Sequence, residues 1–330
     1  MIYDKIDFHN VEELEETEKG LKIWRLPKEL REKLNDGIKN DTASLCSGVE
    51  LRFCLKGESA KIKLRVEDNV EAATAFIYYG SFQGGWMSSQ KQIRDDQVTE
   101  IIIEKSDRLS DLKRITKEQN LPFDPEVVRI VMPYNHCYYC GIEGDIETPL
   151  KSQYPEKTYL AYGSSITHGS LSLGTPHAYV FRISQMLKCD YINLGFAGTA
   201  QLEKEIAEYI CNRKDWDFAS VELGVNMLDD QFSCDFFEER AKNFVEIMSK
   251  DPRKVFATSI FGFSEVDQAK ADKFREIAKK YSENKLIFTE GKEILDNPAY
   301  IAADLIHPSI EGAEQIASRW GSIIEKGLNS

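Results

Sequence analysis

The sequence predicts an α/β protein in two parts, an antiparallel β-sandwich followed by a doubly wound, five-stranded parallel sheet. Between residues 47 and 147, apolar side chains recur with period two, which is typical of strands with one solvated face. Residues 147–156 then contain two prolines and few apolar side chains. Beyond them, short apolar runs alternate with amphipathic helical stretches, which is typical of βα units. We therefore predict a sandwich domain over residues 1–150 and an α/β domain over residues 157–330.

The first part has its clearest strand pattern at Ala60–Glu67, where every second side chain is apolar and every other one is charged. Similar runs, separated by Gly, Asn and Asp, occur at Val49–Leu55, Thr74–Tyr79, Val98–Glu104 and Val127–Met132. The first forty residues contain one more strand candidate, Leu21–Leu26, and a polar stretch that stays unassigned. We expect these strands to form an antiparallel sandwich.

The second part contains five short apolar runs that we interpret as strands, namely Thr158–Tyr162, Tyr191–Phe196, Phe218–Leu223, Val255–Ile260 and Leu286–Thr289. Four stretches with apolar residues three and four positions apart are predicted helices, namely Glu203–Ile210, Phe236–Met248, Gln268–Tyr281 and Ile310–Ile324. Strands that alternate with helices run parallel, and the helices cover both faces. This order predicts a doubly wound sheet.

Charge and hydropathy argue against several classes of partner. The 330 residues include 42 basic and 55 acidic side chains, a formal net charge of -13. Because such a surface does not attract phosphate backbones or anionic lipid, we expect no nucleic-acid partner and no membrane association. No segment approaches the roughly 18 apolar residues that span a bilayer, and the N-terminus has no signal-peptide pattern. We therefore expect a cytoplasmic protein, whose oligomeric state the sequence does not indicate.

The seven cysteines, an odd number dispersed along the chain, do not indicate a disulfide framework. Cys137 and Cys140 have the Cys-x-x-Cys spacing that opens many zinc sites, but no second Cys or His pair follows at ligand spacing. We interpret them as two thiols on a strand among tyrosines. The sequence predicts neither a metal nor an organic cofactor.

The candidate reactive residues follow the predicted parallel strands. Sheets of this kind bind ligands just beyond the carboxyl ends of their strands. Ser165 follows the first predicted strand, Gly198 follows the second and Asn226 follows the third, while Asp304 and His307 lie beyond the fifth. The sequence therefore places these five residues at one edge of the sheet.

These residue types suit acyl transfer at a serine. The hydroxyl of Ser165 is a weak nucleophile until a base takes its proton, and His307 is the natural base. Asp304, three residues earlier, can orient the imidazole and stabilise its charged form. The backbone N–H groups of Ser165 and Gly198 and the side-chain amide of Asn226 are candidate donors to the oxyanion that develops on the attacked carbonyl.

The sequence resembles the SGNH (GDSL-type) hydrolases, which are named for Ser, Gly, Asn and His in four sequence blocks. The matching stretches are Tyr-Gly-Ser-Ser-Ile-Thr-His-Gly at 162–169, Asn-Leu-Gly-Phe-Ala-Gly at 193–198, Asn226, and Asp-x-x-His at 304–307. The resemblance covers residues 157–330 and implies a flavodoxin-like sheet. It also implies that Ser165, Asp304 and His307 form a catalytic triad and that Gly198 and Asn226 complete the oxyanion hole. One departure is Ser164, which replaces the aspartate of Gly-Asp-Ser-Leu.

Within this family, the chain resembles a branch that carries a β-sandwich ahead of the hydrolase domain. Its two-domain relatives include carbohydrate esterases that remove acetyl groups. The resemblance therefore implies a serine esterase that hydrolyses a small acyl ester, such as acetyl, on a small molecule or oligosaccharide through an acyl-enzyme, with an accessory sandwich that is a candidate for contacting carbohydrate. Two alternatives stay open, an esterase, lipase or thioesterase acting on a longer acyl chain and a non-catalytic carbohydrate-binding protein.

Two aromatic residues near the predicted site have more than one candidate role. Trp86, in a Gly-rich aromatic loop of the first part, either stacks on a sugar ring or closes the sandwich core. His168 either lines the pocket, caps a helix or faces solvent.

Overall fold

The structure, a computed structural model, describes residues 1–67, 73–94, 97–264 and 267–330. Two sheets organise these residues. An antiparallel sheet is built from strands between Ile2 and Glu147, and a parallel sheet is built from strands between Thr158 and Thr289. The predicted fold class, an antiparallel β-sandwich-like part ahead of a five-stranded parallel sheet, is confirmed.

Within the described residues, eleven strands form the antiparallel sheet. They are β1 (Ile2–Tyr3), β2 (Ile6–His9), β3 (Glu13–Thr17), β4 (Gly20–Trp24), β5 (Glu50–Glu67), β6 (Thr74–Tyr79), β7 (Phe82–Gln83), β8 (Gln90–Gln92), β9 (Thr99–Glu104), β10 (Val127–Val131) and β11 (His136–Glu147). Strand β5 is central, since it pairs with β2, β9, β10 and β11. Alternate residues of β5, among them Leu51, Phe53, Ile62 and Leu64, are buried in one apolar cluster. This cluster is the core that the period-two pattern predicts.

One prediction for the sandwich is wrong, because the runs Val49–Leu55 and Ala60–Glu67 form a single strand, β5. Opposite the polar residues 56–59, strand β11 shifts its register, so that Gly144 pairs with Ala60 whereas Ile146 pairs with Leu55. The extra residues on β5 form a bulge at which the strand bends but does not end. Odd-numbered residues face the core before the bulge, and even-numbered residues face it afterwards.

The strand predicted at Leu21–Leu26 overlaps β4, and the segment that follows it, up to residue 43, packs against the parallel sheet. It contains the short helices α1 (Lys28–Arg31) and α2 (Asp36–Asn40). Trp24, Leu26 and Ile38 are buried in the same apolar cluster as Ile206. Helices of four and five residues are too short to give a helical period, so the sequence pattern does not reveal them. A third helix, α3 (Leu109–Gln119), has no buried residue.

The parallel sheet has the strand order β13-β12-β14-β15-β16, which is the flavodoxin-like order. Its strands are β12 (Thr158–Gly163), β13 (Asp190–Gly195), β14 (Phe218–Glu222), β15 (Lys254–Thr258) and β16 (Ile287–Thr289). The helices of this part are α4 (Ser165–His168), α5 (Tyr179–Met186), α6 (Lys204–Asn212), α7 (Cys234–Met248), α8 (Gln268–Ser282), α9 (Gly291–Ile294) and α10 (Ile310–Asn329). Every predicted strand and helix of this part overlaps an observed one.

Helices cover both faces of the parallel sheet. Leu160 and Tyr162 of β12 pack with α6, α7 and α8, whereas Tyr159 and Ala161 pack with α5 and α10. Because both faces of the strands are buried, their sequences are continuous apolar runs and do not alternate. None of the helices in the described parts of the chain has both the length and the apolar character of a membrane span.

A buried ion network joins the two sheets. Arg52 of β5 donates to both carboxylate oxygens of Asp190 in β13, at 2.6 and 2.7 Å. Glu50 accepts from Arg52 and Arg129. Burial alone would raise the pKa of Glu50, but the two guanidinium groups hold it well below its ordinary value. Each charge in the network therefore has a partner, which buried charges require.

Candidate active site

The structure brings the five predicted residues together at the carboxyl edge of the parallel sheet. Ser165, Gly198, Asn226, Asp304 and His307 all line one cavity of about 550 Å³. The other lining residues are Ser170, Leu171, Ala197, Val225, Leu228, Asp229, Phe263 and Ile306. A cavity of this volume is within the range of small-molecule sites.

Ser165 is positioned by a sharp turn between β12 and α4. Strand β12 ends at Gly163, Ser164 caps the helix, and Ser165 is its first residue. The Ser164 hydroxyl oxygen accepts the backbone N–H two residues on at 3.1 Å, which satisfies a donor left free at a helix start. Gly195 of β13 permits the helix to approach the strand, since a Cβ there would lie 2.2 Å from the backbone nitrogen of His168.

His307 connects Ser165 to Asp304. The Nε2 atom of His307 lies 2.8 Å from Oγ of Ser165, and its Nδ1 atom lies 2.7 Å from Oδ2 of Asp304. An ionised carboxylate only accepts, so the ring proton belongs on Nδ1 and Nε2 can accept the proton of the serine hydroxyl. Hydroxyl, imidazole and carboxylate therefore form one hydrogen-bonded chain.

The turn over residues 304–307 holds the carboxylate of Asp304 in place. Its Oδ1 atom accepts the backbone N–H groups of Ile306 and His307, both at 3.0 Å. Burial alone would raise the pKa of Asp304, but these N–H groups and the imidazole hold the pKa below its ordinary value. The carboxylate is therefore charged at neutral pH. Pro308 forms a β-bridge with Ile301, which fixes the backbone beyond His307.

Gly198 and Asn226 lie on two loops that line the cavity. Gly198 has a φ of 69°, a left-handed conformation that glycine adopts without strain. Asn226 lies in the turn after β14, and its side-chain oxygen accepts the backbone N–H of Ala200 at 3.2 Å. Because the oxygen accepts from Ala200, the side-chain NH₂ group remains as the donor to a ligand. The hydrogen bond also ties the two loops together.

One ionisable residue beside this site, Glu222, is not predicted from the sequence. It ends β14, is 2% exposed, and accepts hydrogen bonds from Ser164 and Thr167. Burial raises the pKa of Glu222, and these hydrogen bonds act in the opposite direction. The signal in the sequence is a charged residue inside the apolar run Val221-Glu222-Leu223, at a place where a parallel strand is normally apolar.

His168 does not face solvent, so that candidate role is wrong. It is fully buried, and its Nε2 atom lies 3.1 Å from a guanidinium nitrogen of Arg25. Burial and the charge of Arg25 hold the pKa of His168 well below its ordinary value, which keeps the ring neutral. Arg25, which follows β4, also donates to the carbonyl oxygens of Thr42, Asn193 and Gly195. Through these hydrogen bonds, Arg25 of the N-terminal part stabilises the end of β13, just before the loop that contains Gly198.

Replacement of Arg25 by methionine should lower the free energy of unfolding by about 3 kcal/mol, because buried acceptors lose the guanidinium donor. Unfolding in urea, followed by circular dichroism, measures the change. Arg108→Met is the matched control, since the Arg108 side chain is 74% exposed, and it should shift stability by less than about 0.5 kcal/mol. Wild-type stability in the Arg25 variant would show that these hydrogen bonds do not stabilise the fold.

Two other histidines contact carboxylates that are distant in sequence. The Nδ1 atom of His136 lies 2.7 Å from Oγ of Ser44, and its Nε2 atom lies 3.0 Å from Asp41. Although these residue types repeat those of a triad, Ser44 is fully buried and its hydroxyl donates to the Asp41 carbonyl at 2.9 Å. It therefore offers no nucleophile to a ligand. His9 lies 3.5 Å from Asp190.

The thiols of Cys137 and Cys140 lie on β11, so their predicted placement on a strand is confirmed. Within residues 1–67, 73–94, 97–264 and 267–330, no group of three or more His, Cys, Asp or Glu side chains is arranged to hold a metal ion.

Much of the cavity wall is apolar. Its apolar side chains include Leu171, Val225, Leu228, Phe263 and Ile306. Trp86 is 96% exposed and does not close the sandwich core, so that candidate role is wrong, and it does not line this cavity. The cavity thus combines a polar end at Ser165 with walls suited to an apolar group.

Residues 156–325 match the family model described as GDSL-like lipase/acylhydrolase. The match spans more than half of the 330 residues and contains all five predicted site residues. No protein of curated function matches the chain in sequence.

Solved structures resemble the chain over nearly its whole length. A salicylyl-acyltransferase from a tetracycline biosynthetic pathway has a TM-score of 0.76 and 15% identity, and the match covers 98% of this chain and 95% of that one. A GDSL-like lipase structure from Bacteroides ovatus has a TM-score of 0.69 and 17% identity, with 93% and 92% covered. A family two carbohydrate esterase from Cellvibrio japonicus has a TM-score of 0.60 and 10% identity, with 98% and 96% covered. At these sequence identities, the similarity shows a shared fold only.

Proposed function

Since the chain belongs to the GDSL-like lipase/acylhydrolase family and is a carboxylic ester hydrolase, we propose that it hydrolyses its substrate through an acyl-enzyme formed on Ser165. The observation that carries the proposal is the hydrogen-bonded chain from Ser165 through His307 to Asp304. All three side chains line the same cavity, where an ester can reach them.

The reaction follows from this chain of hydrogen bonds. Oγ of Ser165 attacks the ester carbonyl carbon while its proton passes to Nε2 of His307, and Asp304 stabilises the imidazolium. The imidazolium then gives this proton to the departing alcohol as the C–O bond breaks, which leaves the acyl group on Ser165. A water molecule, deprotonated by His307, attacks the acyl carbonyl and releases the acid. The proton returns to the serine oxygen.

Three donors are proposed for the oxyanion that forms in each half of the reaction, the backbone N–H groups of Ser165 and Gly198 and the side-chain N–H of Asn226. Two features support this assignment. Ser165 begins a helix, where backbone N–H groups have no hydrogen-bond partner within the helix. The hydrogen bond between Asn226 and Ala200 holds the two loops together, so the donors are preorganised and do not have to be ordered during the reaction.

For the substrate, we propose a small acyl ester, such as acetyl, carried by a small molecule or an oligosaccharide. The support is the likeness in fold, across both parts of the chain, to proteins described as family two carbohydrate esterases. In this proposal, residues 1–150 form an accessory domain that contacts carbohydrate, and residues 157–330 form the catalytic domain.

The cavity favours a second candidate, an ester of a larger apolar acyl group. Five large apolar side chains line the wall, and a volume of about 550 Å³ is more than an acetyl group fills. Among the structural neighbours, one is described as a salicylyl-acyltransferase, whose named acyl group is aromatic.

A panel of esters separates the two candidates. p-Nitrophenyl acetate, butyrate, octanoate and benzoate vary the acyl group, and acetylated xylo-oligosaccharides vary the alcohol. If the substrate is an acetyl ester, kcat/KM should be highest for acetate, lower by about tenfold or more for octanoate, and measurable for the saccharides. A kcat/KM that rises with acyl size would establish the second candidate. Failure to cleave any ester would refute both.

A further inference from the structure

The carboxylate of Glu222 lies directly behind the turn that carries Ser165. Its two oxygens accept from the Ser164 hydroxyl at 2.8 and 2.9 Å. Its Oε2 atom also accepts from the Ser164 backbone N–H at 3.1 Å and from the Thr167 hydroxyl at 2.8 Å. Ser164 and Thr167 lie on either side of Ser165 in sequence. One buried side chain therefore holds the turn on both sides of the reactive serine.

The neighbouring groups indicate that this carboxylate is ionised. A backbone N–H such as that of Ser164 can only donate. The Ser164 hydroxyl oxygen already accepts from Ile166, which leaves its proton for Glu222. The hydroxyl of Tyr179 lies 2.7 Å from Oγ1 of Thr167 and can donate to it, which leaves the Thr167 proton for Glu222 as well. Three donors thus converge on one carboxylate and offset part of the cost of burying it.

Gly163 is fitted to the same carboxylate. A Cβ at this position would lie 2.6 Å from Oε2 of Glu222 and 2.2 Å from Oγ1 of Thr167. Neither atom belongs to the end of a free surface side chain, since both residues are buried. A side chain at position 163 would therefore displace the carboxylate from the turn.

We propose that Glu222 is a positioning residue for Ser165 and that it supplies, from the neighbouring strand β14, the acidic group that Ser164 lacks beside the nucleophile. The inference rests on the proposed function. Glu222 acts through Ser164 and Thr167, which fix the first turn of α4 and so direct the Ser165 hydroxyl toward His307.

The charge of His307 also acts on Glu222. Burial raises the pKa of Glu222, while its hydrogen bonds and the charge of His307 act in the opposite direction. Asp304, in contrast, contacts the imidazole directly, at Nδ1.

Glu222→Gln tests the proposal directly. The amide keeps the shape of the side chain but offers an NH₂ group where a carboxylate oxygen accepted, so a donor meets a donor. We expect kcat for p-nitrophenyl acetate to fall by about 10- to 100-fold, because the hydroxyl is misdirected, with KM changed by less than about threefold. A fluorophosphonate should still label Ser165, with a rate constant reduced by a similar factor.

Moving the acid to the other side of the contact gives a sharper test. In the double variant Ser164→Asp/Glu222→Gln, an aspartate can still cap α4 and can accept from the new amide. Ser164→Asp alone places two buried carboxylates against each other, which disfavours the charge of at least one of them. We expect the double variant to be more active than either single variant. If the fold reduction in kcat of the double variant equals the product of the two single-variant reductions, positions 164 and 222 act independently and the proposal fails.

Glu203→Gln is the matched control. Glu203 is also buried and hydrogen-bonded to a neutral donor, the amide of Asn35, but it does not line the cavity. Its kcat should stay within about twofold of the wild-type value. If Glu222→Gln does not fold, Ser164→Ala removes the same contact from the opposite side and should lower kcat by about tenfold.

Different results would refute the proposed function and the role of Glu222. A Ser165→Ala variant that keeps its activity would refute the proposed function and this inference with it. If Ser165→Ala is inactive while Glu222→Gln keeps the wild-type kcat, only the role of Glu222 is refuted.

Discussion

Replacement of Ser165 by alanine should lower kcat for ester hydrolysis by a factor on the order of 10⁶. The substitution removes the oxygen that attacks the ester and leaves the contact between His307 and Asp304 in place. Loss of one small hydroxyl at the edge of a cavity should not disturb packing, so the melting temperature should stay within about 3 °C of the wild-type value. Initial rates on p-nitrophenyl acetate and a thermal melt followed by circular dichroism measure the two quantities.

The control for this prediction is Ser184→Ala, which removes a buried hydroxyl that donates to the Phe181 carbonyl inside α5. It should keep wild-type kcat. A fluorophosphonate should label the wild-type protein and the Ser184 variant but not the Ser165 variant, because only an activated serine reacts quickly. An unlabelled and inactive wild-type protein would instead favour the non-catalytic, carbohydrate-binding alternative.

The parallel sheet could be predicted from sequence because its signals are local. Each strand, such as Thr158–Gly163, is an apolar run between turn residues, and the helices that cover it have a clear period. The antiparallel part was harder, because its continuity depends on pairing. Whether residues 56–59 end a strand is decided by the register shift in β11 opposite them, and no local pattern records that shift. The short helices within residues 28–40 could not be predicted, because their apolar residues pack into a core whose other members lie far along the chain.

The site divides in the same way. The placement of Ser165, Asp304 and His307 at one edge of the sheet could be predicted because reactive residue types follow strand ends. Glu222 and Arg25 could not, since each acts through contacts with residues more than fifty positions away, such as Ser164 and Gly195. A buried charge in an apolar run is a visible signal, but the sequence does not say which groups satisfy it. For the same reason, the sequence indicates only that Ser164 replaces an acidic residue. It does not indicate that Glu222 of β14 contacts this turn.

Asp304→Asn should lower kcat by about 10⁴-fold, with far less effect on substrate binding. The side-chain oxygen of an asparagine can still accept the backbone N–H groups of Ile306 and His307, as Oδ1 of Asp304 does. The amide nitrogen then faces Nδ1 of His307 where a carboxylate oxygen lies at 2.7 Å. Because two donors cannot share this contact, the imidazole should move its proton to Nε2. That nitrogen then faces Ser165 with a proton and cannot act as its base.

Asp304 acts through its charge and through the tautomer of His307 that it selects, so the control must remove a carboxylate without changing His307. Asp296→Asn does so, since Asp296 pairs with Arg319 at the surface, at 2.9 Å, and is absent from the cavity lining. It should keep wild-type kcat. Asp304→Asn should stay more active than Ser165→Ala, because its nucleophile and oxyanion donors are intact. Equal activity of Asp304→Asn and wild type would mean that His307 is oriented by its backbone alone, through the turn at 304–307 and the bridge between Pro308 and Ile301.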